Sequence, residues 1–193
     1  MSMKDIVLSG ICKSFGEKQV LQNISAVFPG GKTSCISAAS GMGKTTLFRI
    51  MMGLEKPDNG SIEGIDGARV SVVFQEDRLC EAFTVKDNIK LVAPQVADED
   101  ISEAMKSVGL VGCEDQPVCE LSGGMRRRAA VLRAVLYGGD ILMLDEPFKG
   151  LDDETKQAVI AFIRARFYGR TVILITHDEN EAKALGCEYT LKL

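Results

Sequence analysis

A glycine-rich segment in the first quarter of the chain has the residue types and the spacing of a phosphate-binding loop (P-loop). It comprises Ala38, Ala39, Ser40, Gly41, Met42, Gly43, Lys44, Thr45 and Thr46. Backbone amides around Gly41 and Gly43 can turn inward to bind an anion, and the start of the following helix adds the positive end of its dipole. Lys44 would reach the β- and γ-phosphates of a nucleotide, and the Thr45 hydroxyl would coordinate Mg²⁺.

The P-loop pattern G-x-x-x-x-G-K-[ST] is complete except at its first position, where Ala38 replaces glycine. That position requires a small residue for the turn, and alanine is small enough when φ is negative. The alternative interpretation of the segment is a structural glycine turn with a surface lysine. The strand-like run 33–37 before the loop and the apolar helical run after it favour the P-loop.

A second candidate group lies at the end of a predicted buried strand. Four apolar residues, 141–144, precede Asp145 and Glu146. Asp145 would orient the ligand shell of a bound Mg²⁺, and it lies beside the P-loop if the two strands pair. Glu146, on the opposite side of the chain, could polarise a water molecule aimed at the γ-phosphate. The alternative is a strand that ends at a solvated turn. The catalytic interpretation of this group is favoured because the same chain contains the P-loop.

A third group combines a hydroxyl, two glycines and a helix start. Ser122, Gly123 and Gly124 precede a strongly helical, arginine-rich stretch. The hydroxyl, the exposed amides and the helix dipole make a second anion site. One nucleotide does not need two γ-phosphate sites, but two chains arranged head to tail would use both. We expect the arginines 126–128 to make ion pairs within the domain and solvated surface rather than phosphate contacts.

Alternating strands and helices must position these groups. Strands are predicted near 4–8, 19–28, 33–37, 61–65, 70–74, 141–145, 171–175 and 188–192, and helices near 45–53, 84–92, 98–108, 123–137, 152–167 and 178–185. Closely spaced turn residues between the early strands indicate an antiparallel edge sheet. The later apolar runs are typical of a parallel sheet buried on both faces. Between about 76 and 121 the pattern is helical without a strand, which predicts a helical insertion in an α/β core.

Composition limits the class of protein. The length of 193 residues favours one domain, and the net charge of −4 argues against a chain that grips nucleic acid. The six scattered cysteines and the single histidine lack the spacing of a zinc site. No apolar run approaches the roughly 20 residues that span a bilayer, and no secretory segment opens the chain. We therefore expect a cytoplasmic chain that other subunits hold in place if it works at a membrane.

These motifs, in their order, resemble the nucleotide-binding domain of an ATP-binding-cassette (ABC) transporter over nearly the whole chain. The resemblance implies a single domain over 1–193 with a P-loop NTPase core, an antiparallel β edge subdomain and a helical subdomain at about 76–135. It implies ATP and Mg²⁺ as ligands and ATP hydrolysis coupled to transport as the activity.

The resemblance also assigns roles on the nucleotide side of the site. Phe15 would stack on adenine, with Val20 beside it. Gln75, after an apolar strand, matches the glutamine of the Q-loop, which contacts Mg²⁺ and water. Thr45, Gln75 and Asp145 are then the implied magnesium ligands.

Further roles concern hydrolysis and the second subunit. Glu146 is implied as the catalytic base, with Lys44 as the phosphate-binding lysine. His177, at the end of the strand 172–176, matches the switch histidine that touches the γ-phosphate. Ser122–Gly124, in the signature motif, and Asp152, in the D-loop, would contact the nucleotide held by the partner subunit.

Some positions depart from the family pattern. Met125 replaces the signature glutamine, Ala38 and Ala39 replace the usual Gly-Pro, and Lys149 occupies a D-loop position that is usually small or polar. None of these changes removes a side chain that the expected chemistry needs. They affect the expected dimer interface and the expected rate of ATP hydrolysis.

The segments 74–79 and 84–89 are similar to those of the nitrate/sulfonate/taurine importer subgroup. The resemblance implies a second copy or a related ABC subunit as one partner, and a transmembrane permease docking near 76–90 as another, at the inner face of the cell membrane. Nucleic acid is not expected as a partner.

Two other functions within the family remain open from sequence. A non-transport ABC ATPase usually carries a long coiled coil or a second cassette, and neither is evident here. An ATP-binding regulatory partner of a heterodimer is disfavoured because Glu146 and His177 are both present. GTPases and small-molecule kinases share the P-loop, but neither class explains the segment 121–125.

Overall fold

Two β-sheets and six α-helices make up the part of the chain that the computed structural model describes, residues 3–37 and 41–193. Ala38, Ala39 and Ser40 of the P-loop lie outside the described residues. The strands are β1 (Ile6–Phe15), β2 (Lys18–Phe28), β3 (Thr33–Ser37), β4 (Asn59–Glu63), β5 (Val70–Val73), β6 (Ile141–Asp145), β7 (Thr171–Ile175) and β8 (Tyr189–Lys192). The helices are α1 (Lys44–Met51), α2 (Val85–Lys90), α3 (Asp98–Ser107), α4 (Gly123–Tyr137), α5 (Asp153–Phe167) and α6 (Glu179–Leu185).

The antiparallel sheet has the strand order β2-β1-β4, which confirms the expected edge sheet. Strand β1 is longer than the predicted strand at 4–8. Register shifts in its pairing with β2, the first between Leu8 and Ile11, allow the strand to continue through Ser9 and Gly10 as far as Phe15. The backbone N–H of Ser14 donates to Asp58 Oδ2 at 2.7 Å and fixes the far end of β1 to the loop before β4.

The parallel sheet has the strand order β5-β6-β7-β3-β8. Strand β7 therefore lies between the strand that leads to the P-loop and the strand that ends at Asp145, so these two strands do not pair directly. The register places Ile175 of β7 opposite both Ile36 of β3 and Asp145 of β6. The carboxyl ends of these strands are consequently level, and their following loops leave the sheet at one edge, where α/β proteins bind their ligands.

Side-chain alternation in the buried strands divides the core in two. Met143 and Ile173 face the layer formed by α1 and the antiparallel sheet. Leu144 and Leu174 face the helices α2 to α6 on the other side. The parallel sheet is thus covered on both faces, which explains why its strands are continuous apolar runs.

The segment between β5 and β6 is helical, as expected. It contains α2, α3, a short 3-10 turn (Val118–Glu120) and α4, and an isolated bridge joins Thr84 to Pro117. Helix α4 begins after Ser122, whose Oγ accepts from the backbone N–H of Met125, and it ends at Gly138. Among the described residues, every helix is too short or too polar to cross a bilayer.

Truncation of a side chain in the central strand tests this layer arrangement. Ile173→Ala should lower the free energy of unfolding by roughly 2–5 kcal/mol, because Ile173 is fully buried between the sheet and α1. Val27→Ala, at an exposed position of β2, should cost less than about 1 kcal/mol. Urea unfolding followed by circular dichroism gives both values, and equal losses would contradict the arrangement.

Candidate functional site

A cavity of about 310 Å³ opens at the carboxyl edge of the parallel sheet, next to the start of α1. Among the described residues, nine line it: Lys18, Val20, Gly41, Gly43, Lys44, Thr45, Thr46, Gln75 and Glu146. Eight of these were singled out from the sequence. The ninth, Lys18, was not, because a lysine just after a hairpin turn carries no signal of its own.

The described part of the P-loop has the backbone that its glycines predict. Gly41 and Gly43 have φ values of 82° and 87°, in the left-handed region. A Cβ on Gly43 would lie 2.9 Å from the carbonyl oxygen of Val20, so only glycine fits this close approach to β2. Helix α1 then begins at Lys44 and directs its N-terminal amides towards the cavity edge.

The hairpin between β1 and β2 holds the residues expected at the adenine. Phe15 lies at the end of β1, opposite Lys18 in the register, and its side chain is 51% exposed. The Lys13 ammonium lies 5.2 Å from the centre of the Phe15 ring. The ring lies outside the cavity lining, whereas Val20 is part of it. One face of the site therefore carries an exposed aromatic ring flanked by cationic side chains.

Two adjacent carboxylates end strand β6. Asp145 is only 4% exposed. Burial, followed by repulsion from Glu146, raises the pKa of Asp145 from 3.8 to about 6, although the cations Arg127, Lys44 and Lys149 act in the opposite direction. A buried carboxyl group of this kind is a ready ligand for a cation that compensates its charge.

Glu146 has an unusual backbone. Its φ is 46°, in the left-handed region that glutamate rarely adopts, and such a conformation costs about 1–3 kcal/mol. Its N–H donates to the carbonyl oxygen of Ile175 at 3.0 Å, which ties this turn to the end of β7. The turn directs the carboxylate into the cavity instead of back along the strand.

The Glu146 carboxylate also reaches the loop after β7. Its Oε1 lies 3.8 Å from Nδ1 of His177, and its Oε2 lies 3.6 Å from Nζ of Lys149. The His177 side chain is 77% exposed and lines, together with Glu146, a second cavity of about 440 Å³. Glu146 thus belongs to both cavities and joins the P-loop side to the His177 side.

The loop that carries His177 is fixed by polar contacts to the helices behind it. The Thr176 hydroxyl donates to Glu181 Oε2 at 2.5 Å, and it accepts from the N–H of Asp178 at 3.1 Å. Lys156 of α5 lies 3.2 Å from Glu181 and completes the chain of contacts. The position of His177 therefore depends on α5 and α6.

The residues expected to act on the partner's nucleotide do not line the P-loop cavity of their own chain. Ser122 and Asp152 serve as N-caps of α4 and α5; Asp152 accepts from the N–H of Thr155 at 2.9 Å, and this contact lowers the pKa of its carboxyl. Gly123 and Gly124 open α4. None of these four residues lines either cavity that contains Glu146.

One residue of the site region was assigned only a general role from the sequence. Arg127 is buried, and its guanidinium donates to five oxygen atoms in the segments that follow β5 and β6. The expected ion pair within the domain is present, with Asp77 at 3.0 Å. No sequence pattern indicates that Arg127 contacts the backbone of the two carboxylate residues.

Comparison with known proteins identifies the family. The family model described as ABC transporter matches residues 21–149. The aliphatic sulfonates import ATP-binding protein SsuB 1 of Rhodococcus jostii (strain RHA1) is 39% identical over 185 residues, which cover 93% of this chain and 75% of that protein. The aliphatic sulfonates import ATP-binding protein SsuB 2 of Agrobacterium fabrum (strain C58) is 40% identical over 187 residues, covering 92% and 71%.

Solved structures agree with this assignment. A dimeric structure of a bacterial ABC transporter cassette superposes with a TM-score of 0.84 at 25% identity and covers 97% of this chain and 94% of that one. A bacterial Atm1-family ABC exporter with ATP bound gives a TM-score of 0.87 at 23% identity, over 99% of this chain and 37% of the exporter chain, and shows the shared fold. The expected α/β P-loop NTPase core is confirmed, and the chain is a nucleotide-binding ATPase cassette that belongs to the ABC transporter family.

Proposed function

We propose that this protein is the ATP-hydrolysing subunit of a membrane ABC importer. The observation that carries the proposal is the position of Glu146, whose carboxylate lines both the P-loop cavity and the cavity that contains His177. A carboxylate between a phosphate-binding loop and a histidine is placed to activate water beside a γ-phosphate. The named relatives are ATP-binding proteins of import systems, which favours transport over the other functions in the family.

In this proposal the P-loop residues bind the triphosphate of ATP. The N-terminal amides of α1 would hold phosphate oxygens, and Lys44 would neutralise their charge. Phe15 would stack on adenine from the hairpin, with Val20 and Lys18 beside the sugar and phosphates. Ala38, Ala39 and Ser40 complete the loop by sequence, and Met42 and Thr46 belong to it as well.

The donor set fits magnesium. Thr45 offers a hydroxyl, Gln75 an amide oxygen and Asp145 a carboxylate, all of which are hard oxygen ligands. The buried Asp145 and its neighbour Glu146 repel each other, so a divalent cation at this place would relieve the cost of burying their charge. When bound, the cation would neutralise charge on the β- and γ-phosphates.

Hydrolysis is assigned to Glu146 and His177. Glu146 would accept a proton from the attacking water while Lys149, 3.6 Å away, keeps its carboxylate from turning out of the site. His177 would donate a hydrogen bond to the γ-phosphate. The polar contacts of Thr176 and Glu181 would hold the imidazole in place during this step.

The proposal extends to two partners. A second cassette would place its Ser122–Gly124 and Asp152 over the nucleotide, which agrees with their position outside the cavity of their own chain. A transmembrane permease would dock near 76–90, in the helical subdomain at about 76–135, on the inner face of the membrane. The named relatives make an aliphatic sulfonate, or a solute of similar chemistry, the proposed cargo.

The first test removes the catalytic base. Glu146→Gln should lower the ATP hydrolysis rate at least about 100-fold while ATP binding persists, because the amide cannot accept the proton. The variant should also accumulate as an ATP-bound dimer in size-exclusion chromatography. Glu154→Gln, at an exposed position in the first turn of α5, should behave as wild type. Wild-type hydrolysis by Glu146→Gln would refute the assignment.

A second test uses the protonation of Asp145 in the absence of nucleotide and Mg²⁺. The pKa of its carboxyl is about 6 in the folded protein, against 3.8 otherwise, so the folded state binds this proton more tightly. Its contribution to stability is therefore full below about pH 4 and is lost as the pH rises through about 6. Asp145→Asn cannot ionise and should melt higher than wild type at pH 8, by a margin that shrinks at pH 5. Asp153→Asn, which is exposed on α5, should show no such dependence.

A third test concerns the permease. Phe83 lies just before α2, within the proposed docking region, and its side chain is 43% exposed, so it is accessible to a partner. When this chain is purified from membranes in mild detergent, a polytopic membrane protein should co-purify with it. Phe83→Asp should lower the amount of that protein, measured by mass spectrometry, at least tenfold. Leu54→Asp, another exposed apolar position, should retain the partner. Equal recovery with both variants would place the docking surface elsewhere.

A further inference from the structure

Arg127 is a buried cation with partners in two separate segments. Its side chain is 4% exposed and lies in the second turn of α4. Towards the segment after β5, Nη1 donates to the carbonyl oxygens of Phe74 at 2.6 Å and Gln75 at 3.3 Å, and to Oδ1 of Asp77 at 3.0 Å. Nη1 therefore binds the segment that contains Gln75, a predicted magnesium ligand.

The other terminal nitrogen faces the end of β6. Nη2 donates to the carbonyl oxygens of Asp145 and Glu146, each at 2.6 Å. These are the two residues whose carboxylates form the charged end of the strand. One guanidinium group therefore joins the segment after β5 to the turn that carries the proposed catalytic base.

The geometry suits arginine and no other residue. The planar guanidinium presents several N–H groups in a fixed fork, so it can serve two sets of carbonyl oxygens in different directions at once. The ammonium group of lysine is a compact point charge on a flexible stem and cannot span both sets. A simple ion pair with Asp77 would need neither the burial of Arg127 nor its contacts to the Glu146 turn.

The backbone of Glu146 gives these contacts a function. Its left-handed conformation, with φ of 46°, persists only where the surroundings hold it. The Ile175 carbonyl oxygen accepts from its N–H on one side, and Arg127 binds its carbonyl oxygen on the other. Arg127 thereby fixes the direction in which the Glu146 carboxylate leaves the chain.

We propose that Arg127 is a positioning residue for ATP hydrolysis, which clamps the turn of Glu146 to the segment 74–77 and keeps the carboxylate aimed at the attacking water. A displacement of the segment 74–77 by a membrane partner would pass through Arg127 to that turn. This inference rests on the proposed function, in which Glu146 is the base. Arg127 itself touches neither nucleotide nor water in this role.

The test compares Arg127→Lys with Arg170→Lys in the full chain. Arg170 also binds two successive carbonyl oxygens, those of Gly138 and Gly139, but at the opposite end of α4. Arg127→Lys keeps the buried charge and should fold, as checked by its thermal melt. Its kcat should fall at least about tenfold, while KM and the Kd for Mg-ATP stay within about twofold of wild type. Arg170→Lys should leave kcat unchanged.

Hydrogen exchange supplies a readout that general destabilisation would not reproduce. In Arg127→Lys the backbone amides of residues 74–77 and of Asp145 and Glu146 should exchange faster, and those in the core of β7 should not. If Arg127→Lys does not fold, Asp77→Asn, which weakens one contact of the clamp, should lower kcat by a smaller factor, again without a change in KM.

Three results would overturn the inference: wild-type kcat in Arg127→Lys, an equal loss in Arg170→Lys, or a uniform rise in exchange over the whole chain. Glu146→Gln is measured in parallel to separate this inference from the proposed function. If Glu146→Gln hydrolyses ATP normally, the proposed function fails first. If it is inactive while Arg127→Lys is fully active, only the role of Arg127 is refuted.

Discussion

The parallel register of β6, β7 and β3 is the constraint on which the site depends. Backbone hydrogen bonds place Ile175 level with both Ile36 and Asp145, so the three following loops begin at the same height. Because these strands are buried on both faces, a shift of one residue would exchange the side chains that face the two core layers. The packing of residues such as Met143 and Ile173 thus fixes the register, and the register brings the P-loop, the carboxylates and the histidine together.

Repulsion between adjacent carboxylates at the carboxyl edge of the parallel sheet distinguishes the site from the rest of the core. Asp145 and Glu146 are adjacent, and burial adds to the cost of charging Asp145. Lys44, Lys149 and Arg127 offset only part of that cost. A protein selected for stability alone would have neutral residues here. The retained conflict makes sense for a site that receives a cation together with phosphates, because the ligand then supplies the missing compensation.

Helix α4 carries both a predicted partner contact and a contact to the hydrolytic edge of the sheet. Its N-terminus carries Ser122, which caps the helix and is predicted to face the nucleotide of a partner subunit. Less than two turns further on, Arg127 binds the ends of two loops at the hydrolytic edge. A helix with both features would connect the predicted dimer contact to the turn of the proposed base. The connection consists of the Ser122 cap and the hydrogen bonds of Arg127 within one helix.

The sequence by itself determined the kinds of elements, the antiparallel edge sheet and most of the residues that line the P-loop cavity, such as Gly43 and Lys44. These signals are local, since a glycine turn, a helix cap or an apolar run ending in acids is complete within a few residues. Only the tertiary structure decided that β7 separates β6 from β3, that Lys18 joins the cavity and Phe15 does not line it, and that Arg127 holds the left-handed Glu146. The strand order and the contacts of Arg127 depend on hydrogen bonds to backbone carbonyls of distant segments. Every residue type carries such a carbonyl, so the sequence contains no mark of which ones will be used.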